Sequence, residues 1–216
     1  MTAQSDWNFL TSVAENYESN LVPIIFAPWA GELVETATLR QGDRVLDVAC
    51  GTGIVARTAA RKLGNTGGVV GLDASAPMIT VARSTATAEG IAIEWWEANA
   101  VELPFPEAAF DVVLCQSGLP FFPDRSASLR EMRRVLKPGG RLILSVWGPI
   151  ERSRGFAIAA DAVARHIGPE AARPITLAFD LMTAQSRGLS VVSQPTNRVP
   201  RVCGHAERSI SDDEPN

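Results

Sequence analysis

Short apolar runs at 44–48, 69–72, 91–96, 110–115 and 141–147 alternate with longer stretches in which apolar side chains recur every three or four positions. Val55, Ala59 and Leu63 share one side of the first such stretch. Leu129, Met132 and Leu136 share one side of the fourth, which is expected to stop before Pro138-Gly139-Gly140. Strands buried on both faces read as nearly unbroken apolar runs, so the pattern predicts five parallel strands joined by helices. The expected class is α/β, a Rossmann-like doubly wound sheet, mostly parallel, with helices on both faces; whether a last antiparallel hairpin closes it is left open. Ahead of the strands, Trp7, Leu10, Ala14 and Tyr17, and then Trp29, Leu33, Val34 and Ala37, predict two helices. The intervening 21–28, bounded by Pro23 and Pro28, is expected to be a packed connector rather than helix. After the sheet, Phe156, Ala159, Ala160, Val163, Ala164 and Ile167 form a stripe that ends at Gly168-Pro169, while 189–193 and 199–203 are weak candidates for edge strands. The expected organisation is a helical lid at 1–40, a core at 41–150, a carboxyl-terminal helix with an incomplete sheet edge at 151–208, and a disordered acidic tail at 209–216.

Composition narrows the function. A chain of 216 residues supports one globular domain with an appendage. Its 20 Lys and Arg against 24 Asp and Glu leave a net charge of −4, which provides no general pull toward nucleic acid or anionic lipid. Arg130, Arg133, Arg134 and Lys137 are expected on one helical face near a carboxyl end, where the helix dipole stabilises cations without a partner. Cys50, Cys115 and Cys203 are odd in number and form no CxxC pair, and His166 and His205 stand alone, so no metal is expected and a reducing cytoplasm fits. No apolar run approaches the roughly 20 residues a membrane span needs, so no membrane partner is expected.

The candidate chemistry sits at Val45-Leu46-Asp47-Val48-Ala49-Cys50-Gly51-Thr52-Gly53, where a buried strand enters a glycine turn and then a helix. Such a turn is either a plain structural connection or a cradle in which bare backbone approaches a ligand. Asp73 ends the second strand 20 residues after Gly53. It either caps the helix beginning near Ser75 or accepts two ribose hydroxyl protons.

These segments resemble the class I S-adenosylmethionine-dependent methyltransferases, through VLDVACGTG at 45–53 and GLDAS at 71–75. The resemblance extends through 98–105, 110–113 and 134–142 and covers about residues 17–150. Within the family it is similar to the branch holding small-molecule and quinone-type methyltransferases. It implies S-adenosyl-L-methionine as cofactor, with Asp47 and the Ala49 carbonyl near the methionine amino group, and Gly51 and Gly53 along the methionine and ribose. Asp73 would take the ribose hydroxyls, Ala74 and Met78 would flank the adenine, and Asn99 and Ala100 would meet its edge. Asn99 stands where the family commonly has Asp, which keeps an acceptor oxygen but adds two donors. Gln116 is the polar candidate near the transferable methyl group, and Tyr17 is placed to hydrogen-bond cofactor or substrate. The implied activity is in-line methyl transfer to a small-molecule acceptor by a cytoplasmic enzyme. Two alternatives stand beside it. One is a catalytically weak methyltransferase-like scaffold, motivated by the short carboxyl terminus, whose open sheet edge would favour a homodimer. The other is an NAD(P)-binding oxidoreductase, against which Asp47 argues.

Overall fold

The computed structural model describes residues 11–179 and 191–194. In chain order the elements are α1 (residues 11–16, continuing as the π-helix Tyr17–Phe26), α2 (Ala27–Ala37), β1 (Arg44–Val48), α3 (Ile54–Leu63), β2 (Gly68–Asp73), α4 (Ala76–Ala88), β3 (Glu94–Glu97), β4 (Phe110–Gln116), α5 (Arg125–Val135), β5 (Leu136–Trp147), α6 (Arg154–His166), α7 (Pro169–Leu177) and β6 (Val191–Gln194). Val45, Leu46 and Val48 of β1 are completely buried, yet they serve two different cores. Val45 belongs with Leu33 and Val34 of α2 and Val55 and Ala59 of α3. Leu46 and Val48 belong with Phe110, and with Met132 and Val135 of α5. A strand alternates its side chains between faces, so apolar residues at every position demand a helical layer on each side.

The sheet order is β3-β2-β1-β4-β5-β6, and every pairing is parallel. From β1 the chain winds outward first through β2 and β3, then returns to add β4 on the other side. That reversal opens a crevice at the strands' carboxyl ends, where doubly wound sheets bind ligands. Among the described residues no helix is long and apolar enough to cross a membrane.

Several expectations need correction. The connector at 21–28 is helical: the path from residue 11 to Ala37 is unbroken, because Pro23 lies in the π segment, where Ala27 N–H donates to the Val22 carbonyl, and Pro28 lies in the first turn of α2, where a missing N–H is tolerated. The third strand begins at Glu94 rather than at 91. Ile91 N–H donates to the Ala86 carbonyl and Gly90 N–H to that of Thr87, so the chain is still closing α4 there. The fifth strand begins at Leu136, five residues early: Ala108 and Ala109 N–H donate to the carbonyls of Arg134 and Val135, which brings Leu136 opposite Phe110 before an irregularity lets the chain through Pro138-Gly139-Gly140. Lys137 therefore belongs to the sheet, paired with Asp111, not to a basic helical face, and Arg134 pairs with Glu131 while donating to the carbonyls of Leu103 and Phe105. The sheet edge carries a sixth strand, β6, which is parallel to β5 rather than half of an antiparallel hairpin. The segments 199–203 and 209–216, with Trp7 and Phe9, lie outside the described residues.

Candidate ligand site at the carboxyl ends of the strands

One cavity of about 650 Å³ lies across this crevice. Five of the six strands deliver residues to it: Asn99 and Ala100 just after β3, Asp73 at the end of β2, Ala49 and Gly51 just after β1, Gln116 at the end of β4 and Trp147 at the end of β5. With neighbouring strands about 4.8 Å apart, four intervals make a trough roughly 19 Å long. Its β3–β2 end is lined by Ala74, Met78, Ala98 and Ala100. Its β4–β5 end is aromatic.

The glycine turn is held by hydrogen bonds from beneath and beside it. Asp73 Oδ2 accepts from Gly51 N–H at 2.8 Å, and its Oδ1 accepts from Ser75 N–H at 2.9 Å. One carboxylate thus ties the glycine turn to the residue before α4, where it closes a turn rather than capping the helix, which has no side-chain cap, and it lines the cavity. Each oxygen keeps a further lone pair for a ligand hydroxyl. Burial raises its pKa, opposed by the N–H donors of Ser75, Gly51 and Ala74. Gly51, at φ +55°, has only the Tyr17 ring near its missing side chain, at 3.9 Å, so its backbone is bare toward the cavity. Ala49 holds a left-handed conformation at φ +57°, a strained choice for a residue with a Cβ.

Two residues of the same motif do not line the cavity. A Cβ on Gly53 would lie 2.3 Å from the Trp95 indole, and one on Gly71 would meet the same ring at the same distance. At Gly53 the space a side chain would need is thus taken by a protein side chain from β3. Asp47 is 1% exposed. Its Oδ2 accepts from Ala56 N–H at 3.0 Å, and its Oδ1 is buried without a partner. It sits under the amino end of α3, as a carboxylate should, and burial pushes its pKa up to about 8. Asp47 and Gly53 thus stand behind the lining, Asp47 beneath the turn and Gly53 against Trp95.

The remaining nine expected site residues line the cavity: Tyr17, Ala49, Gly51, Asp73, Ala74, Met78, Asn99, Ala100 and Gln116. Asn99 Oδ1 accepts from Val101 N–H at 3.1 Å, so its amide is locally engaged. Gln116 Nε2 donates to the Phe26 carbonyl at 3.0 Å, fastening the helical segment across the site. Of the aromatics on the amino-terminal helices, Tyr17 and Phe26 line the cavity, their rings 5.1 Å apart; Trp29 does not. Cys115 is fully buried, and burial pushes its thiol up to about 12, as expected of a small core residue.

Sequence reasoning missed the aromatic wall. Trp147 stands at its centre, within ring-contact distance of Phe26, Phe156 and Phe179. Phe121 and Phe122 complete it from the turn after β4, and Pro174 and Ile175 from α7. Helix α7 did carry a signal: Gly168-Pro169-Glu170 places proline and an acid in a first turn. Tyr17 and Asp73 are the titratable side chains among the residues lining the cavity, and burial, with Asp73 nearby, raises the Tyr17 hydroxyl above its ordinary pKa, keeping it a neutral donor.

With this geometry in hand, likeness to known proteins is specific. Residues 45–140 match the family model of a methyltransferase domain. The chain is similar to the ubiquinone/menaquinone biosynthesis C-methyltransferase UbiE of Xanthomonas campestris, 43% identical over 136 residues that make up 61% of this chain and 54% of that protein. It thus spans about half the length of such relatives. A S-adenosylmethionine-dependent methyltransferase from Aquifex aeolicus shares the fold, with a TM-score of 0.55 at 21% identity over 61% of this chain and 70% of that one. The [4+2]-cyclase SpnF is also similar, at 32% identity and a TM-score of 0.51 over 54% of this chain and 43% of its own.

Proposed function

We propose that this chain, whose residues 45–140 match the family model of a methyltransferase domain, is a class I S-adenosylmethionine-dependent methyltransferase that transfers a methyl group to a neutral, apolar, ring-bearing small molecule. The observation that carries this reading is the two-ended trough, with Asp73 and the bare Gly51 backbone toward one end and the Trp147 aromatic wall at the other. At the first end Asp73 would hold the ribose hydroxyls, Ala74, Met78 and Ala100 would flank the purine, and Asn99 would meet its edge. The donor set suits a nucleoside without phosphates. No Lys, Arg or His is among the cavity-lining residues, and Ala56 N–H at the start of α3, where a dinucleotide's pyrophosphate would bind, already serves Asp47. This weighs against the oxidoreductase alternative, although the parallel strand order is the one dinucleotide-binding folds use.

When bound, S-adenosyl-L-methionine supplies an electrophilic sulfonium methyl that the acceptor displaces in line. The chain's part is to align and to exclude water. Phe26, Trp147 and Phe179 present apolar ring faces for the acceptor to lie against, and orientation alone is worth up to roughly 7–11 kcal/mol in such reactions. Gln116 and Tyr17 are the polar groups between the two ends. With Tyr17 protonated and Asp73 engaged at the cofactor end, no ready base among the described residues faces the aromatic wall, so the preferred acceptor carries a nucleophile that is already electron-rich or ionises unaided.

A second reading is favoured by the likeness to a cyclase: the same trough would then orient an apolar substrate for a reaction other than methyl transfer. Formation of S-adenosylhomocysteine from S-adenosylmethionine, followed with a panel of apolar aromatic acceptors, separates the two. Turnover with one of them, absent in Asp73→Ala, supports methyl transfer. Tight cofactor binding with no turnover on any of them favours the second reading or the scaffold. The proposal includes the lid role of residues 11–26, action on a soluble rather than a nucleic-acid substrate, and a homodimer formed along the β6 edge. A monomeric mass by light scattering at micromolar concentration would end the last of these.

A further inference from the structure

Arg57 is a cation sealed inside the protein, 2% exposed, on α3 just past the glycine turn. Its guanidinium reaches three separate elements. Nη1 donates to the Thr52 carbonyl at 2.5 Å, within the turn itself. Nη2 donates to Glu18 Oε1 at 2.6 Å, on the π segment of α1. Nε lies 3.3 Å from Glu89 Oε2, just after α4. Removing an ion pair from water is costly, and apolar packing of the same volume would hold two helices together at least as well. Placement gives this pair a further use. Glu18 directly follows Tyr17, and Tyr17 brings both its ring and its hydroxyl within 3.9 Å of the Cβ position of Gly51, over the barest stretch of the turn. The clasp thus fixes, through one guanidinium, both the turn and the side chain that covers it. At the other end of the same segment the Gln116–Phe26 hydrogen bond fastens it to β4, so the segment is pinned twice across the cavity it walls.

We propose that the Glu18–Arg57 pair is a positioning device that seats Tyr17 over Gly51 and thereby sets how fast a bound S-adenosyl cofactor leaves. The inference rests on the cofactor reading above. Neither residue lines the cavity; both act through Tyr17 and the Thr52 carbonyl.

The test is the dissociation rate of S-adenosylhomocysteine, followed by stopped-flow tryptophan fluorescence, in the wild type, Glu18→Ala, Glu18→Gln, Tyr17→Ala and the Glu18→Ala/Tyr17→Ala double variant, with thermal unfolding of each. Glu18→Ala is expected to speed dissociation about tenfold, the worth of one charge-assisted hydrogen bond. Glu18→Gln, which keeps the acceptor oxygen, recovers part of the loss. In the Tyr17→Ala background, Glu18→Ala adds no more than about twofold, because a residue that acts through another is silent once the other is gone. An unchanged rate in Glu18→Ala, or an equal increase with and without Tyr17, overturns the clasp whatever happens to the melting temperature. Loss of S-adenosylhomocysteine binding in the wild type itself would overturn the cofactor reading, and the clasp with it. Normal wild-type binding with unaffected variants overturns the clasp alone.

Discussion

The two ends of the trough are built by different means. The Gly51–Asp73 end is backbone and carboxylate: Asp73 bonds two N–H groups from two elements, Asp47 serves a third from below, and Trp95 fills the space over Gly53 and Gly71. The Trp147 end is side chain on side chain, with rings contributed by α1, β5, α6 and the residue run after α7. Hydrogen bonds to fixed backbone give the first end one geometry. The second depends on four segments meeting, and its shape follows whichever rings those segments carry.

Four experiments break or sharpen this contrast. The largest effect expected is in pH dependence, because the buried Asp47 and the half-buried Asp73 both lie at the first end. Burial raises the Asp47 pKa from its ordinary 3.8 to about 8, so the folded state holds a proton that the unfolded chain releases near pH 4. Stability from this group is full below that and falls as pH rises toward 8. Asp47→Asn, which resembles the protonated form, should remove a loss on the order of a few kcal/mol between pH 5 and 8. Denaturant titrations of both proteins at the two pH values measure it, and parallel curves would show that Asp47 is ionised throughout. Next, Asp73→Ala removes an acceptor shared by two N–H groups and the ligand; S-adenosylhomocysteine affinity should drop at least about a hundredfold, roughly 3 kcal/mol. Third, Gly71→Ala forces a Cβ onto the indole and should cost about 2 kcal/mol of stability, a penalty that Trp95→Ala largely cancels in the double variant. Additive losses would place the strain elsewhere than at Trp95. Smallest, Trp147→Ala should raise the acceptor KM about tenfold, through lost ring contact, while leaving S-adenosylhomocysteine affinity within twofold.

The same contrast explains what could be read from the chain. β1 was legible to the residue, since Val45–Val48 is a continuous buried run entered from the half-exposed Arg44, and so were the turn after it and Asp73, because their signals are local: glycines, an acid, and fixed spacing. What packs against Asp47 and Gly53 was not legible, since nothing near them in sequence announces Trp95, some 40 positions on, or a carboxylate facing inward. The aromatic wall was illegible for a related reason. Trp147, Phe156 and Phe179 look like ordinary core positions one at a time, and only the folded sheet brings them to one end of a cavity. The continuous helix from residue 11 to Ala37 was hidden by two prolines. The usual rule that proline ends a helix gave way to a π segment whose wider turn accommodates one of them.

The central claim is that the Gly51–Asp73 end holds an S-adenosyl nucleoside. Calorimetric titration of S-adenosylhomocysteine into the wild type and Asp73→Ala, with NAD as control, tests it most directly. The account predicts micromolar binding to the wild type, none measurable in the variant, and no binding of NAD to either. S-adenosylhomocysteine affinity unchanged in the variant, or a preference for NAD, would contradict it.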